Sequence, residues 1–182
     1  MDRHIRRYVA VWWSESFFTD NGGDLHEYND LWKFESSTGE WTWVSGSDIP
    51  DQSGVYGIKG TGSTNNNPGA RGISVSWIDA SENLWLFGGG GHDSFGNPLL
   101  LNDLWKFEPS TGEWTWVSGD DEGGQPGVYG TKGIARVFNK PGARTAGVSW
   151  IDISWNIWLF GGWGYDVSGH EAYLNDLWKF EP

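Results

Sequence analysis

Asn-Asp-Leu-Trp-Lys-Phe occurs at 29–34, again at 102–107 and a third time at 175–180. The spacing is 73 residues both times, and the rest of the chain falls into register around it. Laid over each other without a gap, 29–101 and 102–174 agree at 46 of 73 positions. This is a repeat protein, and its units are 29–101, 102–174 and a partial 175–182, preceded by an atypical piece, 1–28.

Within a unit the pattern reads as short strands. In Asn-Asp-Leu-Trp-Lys-Phe-Glu, Asp30, Trp32 and Phe34 alternate with Leu31, Lys33 and Glu35, the period of a strand. Ser-Ser-Thr-Gly (36–39) and Pro-Ser-Thr-Gly (109–112) predict a tight turn. Glu-Trp-Thr-Trp-Val (40–44, 113–117) alternates again, so the two runs predict an antiparallel hairpin. A long connection follows, 45–68 and 118–141, rich in Gly, Asn, Asp and Pro. Its repeated Gly-Val-Tyr-Gly (54–57, 127–130) predicts ordered packing rather than slack. Pro-Gly-Ala-Arg (68–71, 141–144) opens a strand running through Val-Ser-Trp-Ile-Asp (75–79, 148–152). A short turn leads to Leu-Trp-Leu-Phe-Gly-Gly (84–89) and Ile-Trp-Leu-Phe-Gly-Gly (157–162), whose Gly pair predicts a strand-to-loop turn. A variable loop, 90–101 or 163–174, then returns to the hexapeptide.

Four short strands per unit and no helical period predict an all-β fold. A lone four-stranded sheet has two faces to cover, and stacking sheets around an axis covers both, which predicts β-propeller blades. The chain holds about two and a half to three blades, an incomplete propeller with open edges that invite self-association.

Residues 1–28 fit the repeat poorly. Read one base later, permitted codons for Met1 to Trp13 encode Trp-Ile-Asp-Ile-Ser-Gly-Asp-Met-Trp-Leu-Phe-Gly-Gly, close to Trp150 to Gly162. The Trp and the first Gly are forced; codon degeneracy allows the rest. This reading makes residues 1–16 an out-of-frame remnant of a further unit, the alternative being a diverged N-terminus. The coding DNA decides between them.

Composition narrows the function. A formal charge of −12 argues against a general nucleic-acid binder, which needs a basic surface to displace counterions. No apolar run is long enough to span a membrane, and no apolar stretch follows the basic N-terminus as in a signal peptide. With no Cys, disulfides, thiol catalysis and Cys-zinc sites are excluded.

The order Pro-Gly-Ala-Arg, Leu-Trp-Leu-Phe-Gly-Gly, Asn-Asp-Leu-Trp-Lys-Phe, Thr-Gly-Glu-Trp resembles the Kelch repeat, in the bacterial form related to the central propeller of galactose oxidase. The resemblance covers about residues 29–182. The period of 73 exceeds the roughly 50 residues of a kelch unit, and the surplus lies in the long connections. It implies a β-propeller with more blades than this chain holds, and a secreted or cell-surface bacterial protein. The Cys–Tyr cross-link of galactose oxidase has no counterpart here, because the chain has no Cys.

Position within the repeat separates scaffold from candidate site. Trp77, Trp85, Trp105, Trp114, Trp116, Trp150, Trp158 and Trp178 recur in register, which predicts packing. Asp30, Asp103 and Asp176 match Arg71 and Arg144 by count and register, which predicts Asp–Arg contacts within a unit or Asp bonded to turn amides. Of 27 mismatches between the full units, eight fall in 90–100 against 163–173, and segments 47–53 and 58–65 hold most of the others. In a propeller those segments emerge on one face, so recognition is expected there, with drift in unconstrained loops as the alternative. The candidates are His92, Asp93 and Phe95, and Trp163, Tyr165, Asp166, His170, Glu171 and Tyr173.

No catalytic constellation, metal-ligand spacing or cofactor motif stands out. The expectation is a non-catalytic interaction module presenting variable loops to a protein or glycan, without a cofactor. Two alternatives remain: a piece of a larger galactose oxidase-like or sugar-modifying enzyme whose catalytic groups lie outside this chain, and a structural unit of a surface protein.

Overall fold

The computed structural model describes residues 26–182, so the reading of residues 1–16 lies outside the described residues. Eleven strands and no helix make up the described chain. Among the described residues, no helix is long and apolar enough to cross a membrane.

β1 (Leu31–Glu35) and β2 (Glu40–Ser45) form a two-stranded hairpin. The next sheet is a meander in which β3 (Arg71–Gly72) and β4 (Val75–Ile78) both pair with β5 (Leu84–His92). They are two halves of one outer strand, broken where Ile73 takes a φ of 52°. β5 pairs with β6 (Pro98–Glu108), and β6 with β7 (Glu113–Ser118). The third sheet repeats this with β8 (Arg144–Thr145), β9 (Val148–Ile151), β10 (Ile157–Tyr165) and β11 (Glu171–Phe180). All pairings are antiparallel and no sheet closes on itself.

The middle sheet is covered on both faces, as strand alternation requires. One face presents Leu84, Leu86, Trp105, Phe107, Trp114 and Trp116, packed with Leu31 of the preceding hairpin. The other presents Trp77, Trp85, Phe87 and Leu104, packed on Ile157 and Leu159 of the following sheet. The hexapeptide therefore serves both interfaces: Trp105 and Phe107 face back, Leu104 faces forward. Position in the stack sets burial. Trp114 and Trp116 are 1% and 9% exposed, whereas Trp41 and Trp43, the same residues one unit earlier, are 52% and 46% exposed.

The long connections are ordered and belong to the unit that follows. Residues 58–66 lie along the outer edge of β7, where Ser63 and Trp114 exchange backbone hydrogen bonds and Gly60 N donates to Trp116 O. Tyr56 reaches further in, packing at a tilt against Trp105 and meeting Trp116 edge-on. Lys59 lies 4.0 Å above the Trp116 ring.

Two expectations need correction. The Gly-Gly pairs do not end their strands. Gly88 and Gly89 form a bulge inside β5, with φ of 60° and 100°, and the strand continues to His92. Nor are 90–101 and 163–174 mostly loop: β6 begins at Pro98 and β11 at Glu171, leaving turns of five residues, 93–97 and 166–170. Periodicity hid this, because a bulge shifts the alternation by one residue.

Candidate functional site

The turn 93–97 and the first parts of the connections, 46–53 and 119–126, meet at one end of the middle sheet, and the turn 166–170 takes the equivalent place on the third sheet. Ser94 N donates to Asp121 O, and Gly54 N to Asp93 O. Asp93 is the keystone. Its carboxylate accepts from the amides of Phe95, Asn97 and Gly123 and from Asn97 Nδ2. Burial alone would raise its pKa, but these donors hold it below the ordinary value. Asp166 plays the same part in the next turn, accepting from the Ser168 and His170 amides, and the His170 amide leads the forces that hold its pKa down. Both carboxylates are thus engaged in shaping their turns.

Equivalent positions at two successive unit junctions carry different chemistry. At the first, His26 Nδ1 lies 2.5 Å from Asp51 Oδ2. His92 Nε2 lies 3.3 Å from Asp51 Oδ1 and 3.7 Å from Glu27 Oε2, while its Nδ1 faces the Gly96 carbonyl at 3.3 Å. Asp51 also accepts from the Glu27 amide at 3.0 Å. Burial pushes the Glu27 carboxyl above its ordinary value, with His92 pulling the other way. Burial acts upward on Asp51 too, but the Glu27 amide and His26 outweigh it and hold Asp51 below its ordinary value. Two carboxyl groups shifted in opposite directions therefore flank the same imidazole. One period on, those four positions are Leu99, Leu100, Gly124 and Tyr165.

That second junction is aromatic. Trp163 and Tyr173 are cross-strand partners on β10 and β11, with rings edge-to-face at 4.9 Å. Tyr165 and Glu171 are the next pair on the same sheet face, and Tyr165 donates its hydroxyl to Glu171 Oε1 at 2.7 Å. That bond, ahead of burial, raises the Tyr165 pKa. Tyr173 is 87% exposed.

The structure thus gathers Trp163, Tyr165, Glu171 and Tyr173 into one patch and sets His92 in a separate polar cluster. Phe95 projects into solvent from its turn, and His170 Nδ1 lies 3.8 Å from Asp166. Sequence reasoning missed His26, Glu27 and Asp51. A signal existed, since Asp51 falls in a mismatch segment and His26-Glu27 replace Leu99-Leu100, but those two precede the first hexapeptide and were counted outside the repeat. Among the described residues, no group of three or more His, Asp or Glu side chains is arranged to hold a metal ion. An apolar crevice lined by Leu31, Trp32, Val44, Leu84 and Phe107 lies between β1–β2 and the middle sheet, within the packing interface.

The class these features define is an all-β repeat protein of stacked antiparallel sheets with a variable end. No protein-family model matches the chain. No curated protein sequence matches it. Among solved structures it is similar to that described as "Structure of YjhT", with a TM-score of 0.48 and 16% identity over 76% of this chain. The matched region spans 29% of YjhT, so the chain covers under a third of that protein's length.

Proposed function

We propose that the chain is a Kelch-type β-propeller segment, of two to three blades, that binds a glycan at its variable end without catalysing a reaction. The observation that carries this reading is the patch formed by Trp163, Tyr173, Tyr165 and Glu171 on one sheet face. Exposed aromatic rings suit the C–H faces of a sugar, and a carboxylate beside them suits its hydroxyl groups. The neighbouring cluster of His26, Glu27, Asp51 and His92 adds polar side chains of the same use. Recurrent positions elsewhere in the repeat are spent on packing, and many of the mismatches between units fall at this end. A secreted or cell-surface setting accords with such a ligand.

The test is a glycan array followed by calorimetry on any hit. Tyr173→Ala should weaken binding about tenfold or more, the loss of one stacked ring, and Glu171→Gln should weaken it less. Tight binding unaffected by either change would end the reading. Capture of a protein through the same residues would move it to the interaction-module alternative.

A further inference from the structure

We infer that His92 works a proton-operated latch at the junction of the middle sheet with the unit before it: the imidazolium ties the turn 93–97 to Asp51 of the connection and to Glu27, and the neutral ring lets that junction loosen. The latch stands on the geometry of the cluster, whatever the variable end binds.

Both ring nitrogens of His92 face acceptors. Nδ1 faces the Gly96 carbonyl at 3.3 Å, and Nε2 faces Asp51 Oδ1 at 3.3 Å and Glu27 Oε2 at 3.7 Å. A neutral imidazole has one N–H, so one nitrogen must turn its lone pair toward an oxygen, whereas the imidazolium donates at both. Only 14% of the side chain is exposed, so water does little to stand in for a lost partner. The set of contacts is therefore complete only when the ring carries both protons. Asp51 is shared: Oδ1 also accepts the Glu27 amide, and Oδ2 lies 2.5 Å from His26 Nδ1. The charged groups around the ring are His26 and Glu27 from the segment before β1, Asp51 from the connection, and Arg71 from β3, which acts on Glu27. Asp93, the next residue along, is committed to the amides of its own turn and of Gly123.

The backbone marks the same place. Asp51 has a φ of 59°, in the left-handed region that favours glycine, and its counterpart one period on is Gly124, with a φ of 72°. The two residues make the same backbone hydrogen bond: Asp51 N donates to Glu27 O and Gly124 N to Leu100 O, each at 2.8 Å. An aspartate thus stands where the next unit uses glycine, and its carboxylate is what the two imidazoles meet. The counterparts of His26, Glu27 and His92 are Leu99, Leu100 and Tyr165, so the second junction is the same joint without the latch. Histidine side chains ordinarily change charge between pH 5 and 8. At the upper end the rings are neutral, and Asp51 and Glu27 are left as neighbouring like charges. At the lower end the rings are charged and the contacts hold. In stronger acid Glu27, raised by burial, is the first of the two carboxyl groups to lose its charge. Asp51, on which the Glu27 amide and His26 outweigh burial, is the last, and its contribution goes as pH falls through its folded value.

Residue-resolved amide exchange on the 182-residue chain tests the latch, with the Gly124 amide as the internal control for that of Asp51. The ratio of their protection factors, each corrected for the pH dependence of intrinsic exchange, should fall roughly three- to tenfold from pH 5.5 to pH 8, the loss of a partly enclosed charge-assisted contact. His92→Gln keeps a donor of similar reach but cannot gain a proton, and it should remove at least half of that change. Asp51→Gly gives the first junction the glycine of the second and suits the backbone there, so the fold is kept; protection at position 51 should then track Gly124 at every pH. Near-ultraviolet circular dichroism checks that the middle sheet is unchanged in each variant. A ratio that stays constant between pH 5.5 and pH 8 in the unmodified chain would overturn the inference. So would a pH dependence that persists at full size in His92→Gln or in Asp51→Gly.

Discussion

Arg71 at the start of one outer strand and Asp103 at the heart of β6 are joined by two parallel hydrogen bonds, 2.6 and 2.7 Å long, and neither side chain is reached by solvent. The guanidinium also donates to the carbonyls of Gly69 and Gly88, and the carboxylate accepts from Tyr56 and Trp105. Arg144 and Asp176 repeat the arrangement one period on, at 2.7 and 2.8 Å, with Tyr129 and Trp178 as donors. One carboxylate thus ties together the first strand, the third strand and the long connection of its unit. A bidentate, fully hydrogen-bonded pair is the form in which a buried charge pair is tolerated.

Removing one partner leaves the other charge buried. Arg71→Met should destabilise the protein by about 3–5 kcal/mol, read from urea unfolding followed by tryptophan fluorescence. Arg144→Met should cost less, because Asp176 retains some exposure and water can reach it. Equal losses would mean that the stack does not protect its middle sheet as described.

Tyr56→Phe deletes one hydrogen bond to a buried carboxylate and keeps the ring packing on Trp105 and Trp116. The expected loss is about 1–3 kcal/mol. Tyr56→Ala also empties the space under the connection and should cost roughly 3–5 kcal/mol. A thermal-melt series distinguishes the two; similar melting points would show that the ring contributes little.

Gly88→Ala tests the close approach of neighbouring units. The residue has a φ of 60°, and a Cβ there would lie 2.8 Å from the Arg144 carbonyl oxygen and 2.9 Å from that of Leu101. Backbone must move, so a loss of about 3 kcal/mol or more is expected. Gly112 has a φ of 72° with nothing within 4 Å, so Gly112→Ala should cost only about 1 kcal/mol, the conformational term. Parity between the two would contradict the interface.

Acid should loosen the third sheet. Burial raises the Asp176 pKa, but Arg144, Tyr129 and Trp178 outweigh it and bring it from 3.8 to about 2. A depressed carboxylate pKa stabilises the fold above the unfolded value and loses that contribution as pH falls through the folded value. Stability should therefore decline between about pH 4 and pH 2. Asp176→Asn should be less stable at neutral pH and should lose part of that slope, as pH-dependent urea unfolding would show.

Much of the scaffold was legible because it is repeated. Alternation in Glu-Trp-Thr-Trp-Val and in the hexapeptide marked strands, and the shared register of Arg71 and Arg144 with Asp103 and Asp176 pointed to Asp–Arg contacts. The bulge at Gly88–Gly89 was not legible, since a Gly pair ending an apolar run reads equally as a turn; only the continued pairing of Gly89–His92 with Pro98–Leu101 separates the two. The candidate site was legible in part. Mismatch between units located its end of the sheets, yet it grouped His92 with Asp93 and Phe95, whereas His92 belongs with Glu27 and Asp51.

The sequence by itself determined the repeat, its period, the all-β character and the split between invariant scaffold and variable end. These are properties of order along the chain, and 73-residue register exposes them directly. Only the tertiary structure decided that Trp114 is buried while its counterpart Trp41 is half-exposed, and that the residues near His92 form a polar cluster while those near Tyr165 form an aromatic one. Identical side chains differ here because burial depends on what lies across the sheet, and the neighbours come from another unit, dozens of residues away in the chain.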